Sequence, residues 1–308
     1  MMKKIVITGA NSFIGYRLCR IFLENGWFVY AVIRRDNNNN QHFAKHSNVK
    51  IVYCDMENYG GLDKKISDSC DVGITLAWNG TRGADRDDSL MQQENFFNSV
   101  ECITTFLKLG CNTVMTAGSQ AEYGPWDQNR KVTEEDVCHP NTEYGRYKLE
   151  FYNKAKELCC NNRIRLIEPR FFSLYGDDDS EKTMIVSMIR NMLVNRVCEL
   201  TECKQIWDFL YVDDAVRALY MLVSSKHAAG VFNFGSGDSK PLKQFILKMK
   251  KLTDSSSELK FGAVPYPATG IVNTNPSIER LVSCTGWKPV VTFEQGIRMC
   301  MERQRKIV

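Results

Sequence analysis

The feature that most constrains this chain lies at its start. Lys4-Ile-Val-Ile-Thr8 is a short apolar run of the kind that forms a buried strand, and it feeds directly into Thr8-Gly9-Ala10-Asn11-Ser12-Phe13-Ile14-Gly15. From Phe13 to Asn25 the apolar residues fall at helical spacing, and Gly26 ends the run. Strand, glycine-bearing turn and helix, in that order, open a βαβ unit. Gly9 permits a tight turn and close backbone approach, and Gly15 lets the helix pack against the strand. The helix N-terminus then presents free N–H groups and a positive dipole, which suit the pyrophosphate of a dinucleotide. Asn11, Ser12, Phe13 and Ile14 complete the loop that would touch it.

The alternation continues. Trp27 to Ile33, Val49 to Cys54, Val72 to Ala77, Thr113 to Ala117 and Ile164 to Glu168 read as further strands, and Leu90 to Leu109 reads as a long helix. Strands covered by helices on both faces are continuously apolar, as most of these are. The pattern predicts an α/β chain with a Rossmann-like, doubly wound parallel sheet. After Tyr175-Gly176 the segments shorten, starting with Asp177-Asp178-Asp179. Residues 1–176 are therefore expected to form the dinucleotide domain. Residues 177–308 are expected to form mainly a smaller α/β substrate lobe, with some chain returning to the sheet. Asn37 to Asn40 reads as a surface loop.

Composition excludes several alternatives. Net charge is +4 without a long basic block, so nucleic acid is not an expected partner. The 12 cysteines include no Cys-x-x-Cys pair and no Cys/His grouping at zinc spacing, so buried thiols are expected and a metal is not. A signal peptide needs ~7–15 consecutive apolar residues, and Gly9, Asn11 and Ser12 interrupt the first run. No segment approaches the ~20 apolar residues of a membrane span. A cytoplasmic location is the expectation.

Three later features point to chemistry. First, the second strand ends in Ile33-Arg34-Arg35, about 20 residues beyond the loop, where an NAD site usually has a carboxylate. A guanidinium pairs with the extra phosphate of NADP, so NADP(H) is preferred, with NAD(H) as the alternative and Arg34 placed ahead of Arg35. Second, Tyr144 and Lys148 stand four residues apart on a helical stretch and so share a face. A free phenol titrates near 10, and an adjacent ammonium favours the phenolate, which makes tyrosine a usable proton donor and acceptor. Third, Ser119 follows the fifth strand, where its hydroxyl can bond a substrate carbonyl beside Tyr144.

Together these elements resemble the extended short-chain dehydrogenase/reductase family of nucleotide-sugar epimerases, dehydratases and reductases, over nearly the whole chain. Ser12 stands in place of that family's middle glycine. The resemblance implies that Ser119, Tyr144 and Lys148 are the catalytic triad. It implies that Asp55 and Met56 lie near the adenine, that Leu76, Ala77, Trp78 and Asn95 line the cofactor, and that Phe172 and Ser173 lie beside nicotinamide and sugar. It places Gln120 at the substrate and Trp207 where many members carry a phosphate-binding arginine. Thr285-Gly286-Trp287-Lys-Pro289 resembles the family's C-terminal Gly-Trp-x-Pro.

The departures narrow the activity. Family dehydratases carry Asp-Glu after the catalytic hydroxyl residue, whereas Gln120 and Ala121 cannot transfer a proton as carboxylates do. The Pro265-Tyr266-Pro267 region also lacks a family arginine. The leading reading is an NADPH-dependent oxidoreductase acting on a nucleotide-linked 4-keto-6-deoxyhexose, with Tyr144 as general acid. The alternative is an NAD-dependent nucleotide-sugar 4-epimerase. A dinucleotide-sensing protein without catalysis would need no such triad. The resemblance further implies a homodimer formed through the helices at Leu90–Leu109 and Tyr144–Leu158.

Overall fold

The computed structural model describes residues 2–34, 43, 46–126, 130–266 and 271–307. Its centre is a parallel sheet. Strands β1 (Lys4–Thr8), β2 (Phe28–Ile33), β3 (Val49–Tyr53), β4 (Val72–Thr75), β5 (Thr113–Thr116), β6 (Gly118–Ser119) and β7 (Arg165–Phe171) come from the first part of the chain. Strands β8 (Ser173–Tyr175), β9 (Cys198–Leu200), β10 (Ile206–Trp207), β11 (Phe209–Tyr211), β12 (Gly230–Phe234), β13 (Lys240–Pro241) and β14 (Leu259–Phe261) follow. The sheet runs β12-β7-β5-β4-β1-β2-β3, with β6 continuing beside β7. The winding direction reverses at β1, which pairs with β2 on one side and β4 on the other.

Alternating side chains explain the layering. On β1, Ile5 and Ile7 point into one hydrophobic layer and Val6 into the other, and all three are fully buried. On β2, Val29, Ala31 and Ile33 join the first layer, whereas Tyr30 and Val32 join the second. Each buried valine or isoleucine among them contributes about 1.5–3 kcal/mol by leaving water. The first layer is covered by helix α1 (Gly15–Glu24). The second is covered by α2 (Ser89–Lys108) and α3 (Glu143–Asn161), which pack on each other.

The smaller lobe has its own core. Helices α4 (Met184–Leu193), α5 (Val212–Ser224), α6 (Leu242–Thr253), α7 (Glu279–Thr285) and α8 (Phe293–Gln304) follow in order. Of these, α4, α6 and α8 enclose a third apolar cluster with Tyr175, Phe209 and Tyr211. Helices α5 and α7 instead return to the first layer, together with β12. All 12 cysteines are free, and nine of them are buried. Among the described residues no helix is long and apolar enough to cross a membrane.

Candidate active site

Parallel α/β sheets bind ligands outside the carboxyl ends of their strands, where the winding direction reverses. Here that point lies beyond Thr8 and Thr75. Gly9 takes φ +67°, and a Cβ on it would meet Ala77 N at 2.9 Å, so the first loop lies directly on the segment after β4. A Cβ on Gly15 would meet Ala10 Cα at 2.9 Å, which closes the helix onto the turn. Ser12 accepts the backbone N–H of Gly15 through its hydroxyl at 3.1 Å. The serine that replaces the family's middle glycine thus caps the helix itself and is accommodated without positive φ.

Asn11 Nδ2 is buried with no hydrogen-bond partner among the described residues. A buried donor stranded beside a helix N-terminus fits a ligand carrying phosphate oxygens. The loop therefore suits a dinucleotide, and Gly9, Asn11, Ser12, Ile14 and Gly15 would hold its pyrophosphate. Phe13 faces elsewhere, stacked 5.1 Å beneath the Arg17 guanidinium. Arg34 is exposed at the end of β2, and Arg35 lies outside the described residues. Asp55 is exposed and Met56 is buried next to it.

A cavity of about 840 Å³ adjoins this loop. Ser12, Ile14, Leu76, Trp78, Ser119, Gln120, Tyr144, Lys148, Phe172, Ser173 and Trp207, all named from sequence, line it. Asn95 does not. Its side-chain oxygen accepts Asn79 N–H at 3.0 Å and its Nδ2 donates to Asn79 O at 2.9 Å, so it braces the loop that carries Trp78. Trp78 Nε1 in turn donates to Gln92 Oε1 at 2.7 Å.

The three residues expected to form the triad come from two elements. Ser119 ends β6 and caps the short turn Gln120–Glu122, its hydroxyl accepting Ala121 N–H at 3.2 Å. Tyr144 and Lys148 lie on α3, whose first turn is capped by Thr142 accepting Gly145 N–H at 3.1 Å. Lys148 Nζ donates to Ala117 O at 2.8 Å, stands 3.7 Å from the Trp78 ring centre and 5.8 Å from that of Tyr144. Burial pushes the Tyr144 phenol above its ordinary value, against the opposing pull of the Ser119 hydroxyl and the Arg86 charge. Burial likewise lowers the Lys148 ammonium to about 7, although Glu122 and Glu168 act to raise it.

Sequence reasoning missed several residues here. Arg86 stacks 4.8 Å over the Tyr144 ring, and Arg82 pairs with Asp179 at 3.1 Å across the cavity mouth. Both lie in a polar run, Thr81 to Asp88, that reads as an ordinary loop. At the far end, Lys182, Leu200, Thr201, Gln205 and Val264 complete the wall. Trp207 Nε1 is buried there without a partner among the described residues. Only the polar atom count of a folded cavity could have exposed that.

A family model described as the NAD dependent epimerase/dehydratase family matches residues 5–235. The chain is 24% identical to the CDP-abequose synthase of Salmonella typhimurium, with 97% of each chain covered. It is 27% identical to a dTDP-4-dehydro-6-deoxyglucose reductase of Escherichia coli over 66% of this chain and 65% of that one. The solved UDP-glucose 4-epimerase of Thermotoga maritima, with UDP-glucose, superposes with a TM-score of 0.88 at 19% identity, covering 99% of both chains. That likeness shows a shared fold.

Proposed function

Because the chain belongs to the NAD dependent epimerase/dehydratase family, we propose that it is an NADP(H)-dependent reductase of a nucleotide-linked 4-keto-6-deoxyhexose. The observation that carries this reading is the convergence of Ser119, Tyr144 and Lys148 on one wall of the cavity beside the glycine loop. The dinucleotide, when bound, supplies the hydride.

The chain's own residues handle the proton. The Ser119 hydroxyl oxygen accepts from Ala121 N–H, and its hydrogen, which faces Tyr144, would turn to the sugar's carbonyl oxygen. Tyr144 donates its phenolic proton to the same oxygen as negative charge develops. The Lys148 ammonium and the Arg86 guanidinium offset the charge left on the phenolate. Gln120 and Ala121 leave no carboxylate at the positions that would eliminate water. Arg34, standing at the end of β2, supports NADP(H) over NAD(H). The name of the Escherichia coli relative supports the substrate class. The chain is also proposed to pair as a homodimer through α2 and α3, since Leu90 and Phe97 stand exposed on α2.

The test is cofactor stoichiometry. Purified protein should consume one NADPH per molecule of dTDP-4-keto-6-deoxyglucose or its CDP-linked counterpart. Tightly held NAD that survives desalting, with interconversion of 4-epimers and no net NADPH consumption, would instead establish the epimerase.

A further inference from the structure

Between the cavity and the sheet lies a buried charged cluster that the proposed proton transfer leaves unused. Glu122 closes the turn that Ser119 caps, and Glu168 and Arg170 sit on β7; all three are buried. Arg170 Nε lies 2.8 Å from Glu122 Oε2 and 3.3 Å from Glu168 Oε1. The second oxygen of Glu122 accepts the backbone N–H of Ser119 at 2.7 Å. The second oxygen of Glu168 faces the Thr116 hydroxyl at 3.3 Å. Gly118 is wedged between the two acids: a Cβ there would meet Glu168 Cγ at 2.9 Å and Glu122 Oε1 at 3.0 Å. Lys148 is bonded to Ala117 O, one residue before that glycine. The cluster therefore touches the backbone on which both Ser119 and Lys148 depend.

With Lys148 ionised the four charges would balance, but burial works against that ammonium. Two acids share one guanidinium in a site that excludes water, and like charges this close resist double ionisation. Glu168 is the member pushed well above the carboxylate range, first by burial and then by the charge of Glu122. The charged groups acting on the triad are Glu122 on the β6 turn, Glu168 on β7 and Arg86 from the β4–α2 loop, while Tyr123, Cys138 and Tyr152 face Arg170. Of these, the two acids act to raise Lys148.

We propose that Glu122 is a positioning residue whose carboxylate holds the Ser119 turn and favours the ammonium form of Lys148 against its burial, while Glu168 stores the proton that the pair shares. The inference deepens the proposed function and rests on its assignment of Lys148. It adds a group that touches neither sugar nor cofactor yet sets the state of two that do.

The experiment is a pH titration of the full-length protein by NMR, with the lysine ε-carbons isotope-labelled and Lys148 identified by the signal lost in Lys148→Arg. Wild type should titrate near about 7. Glu122→Gln keeps an oxygen for the Ser119 N–H but removes the charge, so the midpoint should fall by about one unit. Glu168→Gln imitates the protonated acid, so its displacement should be smaller. An unmoved midpoint in folded Glu122→Gln, or a larger displacement in Glu168→Gln, overturns the proposal. A merely structural Glu122 would lower the melting temperature without moving Lys148. Should Glu122→Gln fail to fold, infrared spectra decide. A protonated-carboxyl band present in wild type at neutral pH and lost in Glu168→Gln supports the proposal, and identical spectra overturn it. The titration needs no substrate. A displaced midpoint in a protein that reduces no keto sugar would remove the proposed function and leave this inference standing, and turnover with an unmoved midpoint would do the reverse.

Discussion

The two ends of the cavity are built differently. At the reacting end, each functional side chain is braced by neighbours: Ser119 by Ala121 and Glu122, Lys148 by Ala117 and Trp78, and Trp78 by Gln92. At the far end, short strands from the later chain present Leu200, Thr201, Gln205 and Trp207, with an indole N–H left over. The reacting end has a fixed geometry before anything binds. The far end mixes apolar and polar side chains around a spare donor, as suits a partner whose own shape completes the site. On the proposed function, chemistry belongs to the first end and choice of nucleotide to the second.

That contrast is broken most directly at the reacting end. Tyr144→Phe should cost roughly 10²–10⁴ in kcat while NADPH affinity, read by fluorescence titration, stays within a factor of about two. Arg34→Ala should weaken NADPH by roughly tenfold or more and NADH hardly at all, because only the extra phosphate pairs with it. Equal losses for the two cofactors would take NADP(H) out of the account.

The pH dependence follows from Lys148. Its folded pKa, about 7, lies below its ordinary value, so the protonated form dominates only below that point. Cofactor contacts that need the ammonium should weaken as pH rises through about 7, and Lys148→Met should flatten the NADPH affinity profile there. Linkage gives the stability sign: between about 7 and the ordinary lysine value the unfolded chain binds more protons, so stability rises with pH across that window. Thermal melts of wild type against Lys148→Met should show that slope disappear. The smallest effect belongs to the far end. Trp207→Phe removes the spare N–H but keeps an aromatic face, so KM for the sugar nucleotide should rise only a few-fold, with kcat unchanged. A fall in kcat of similar size would show that the two ends are not separable.

The same division governs what the sequence revealed. β1 was legible to the residue, because Ile5, Val6 and Ile7 form an uninterrupted apolar run between Lys4 and Thr8, followed by a glycine turn. β7 reads as ending at Glu168 yet runs on to Phe171, since Glu168 and Arg170 look like surface residues. They are buried as a set with Glu122, one guanidinium held between two carboxyl groups, a three-body condition that a linear pattern does not contain. β12 was missed as a specific strand for a similar reason. Asn233 interrupts its apolar run, but its amide is satisfied by the Tyr123 hydroxyl at 2.8 Å and Val132 O at 3.1 Å. That Tyr144, Lys148 and Ser119 would meet at one cavity was legible because their spacing and order along the chain carry the geometry. Arg86 was not, because it reaches Tyr144 from a polar loop whose path only the fold decides.

The most direct test of the whole account is a crystal structure of the protein with NADP⁺ and a 4-keto-6-deoxyhexose nucleotide. The account predicts the pyrophosphate on the loop from Gly9 to Gly15 and the sugar's C4 oxygen within about 2.6–3.2 Å of both Tyr144 Oη and Ser119 Oγ. A C4 oxygen bonded to neither, or a dinucleotide lying away from that loop, would contradict it.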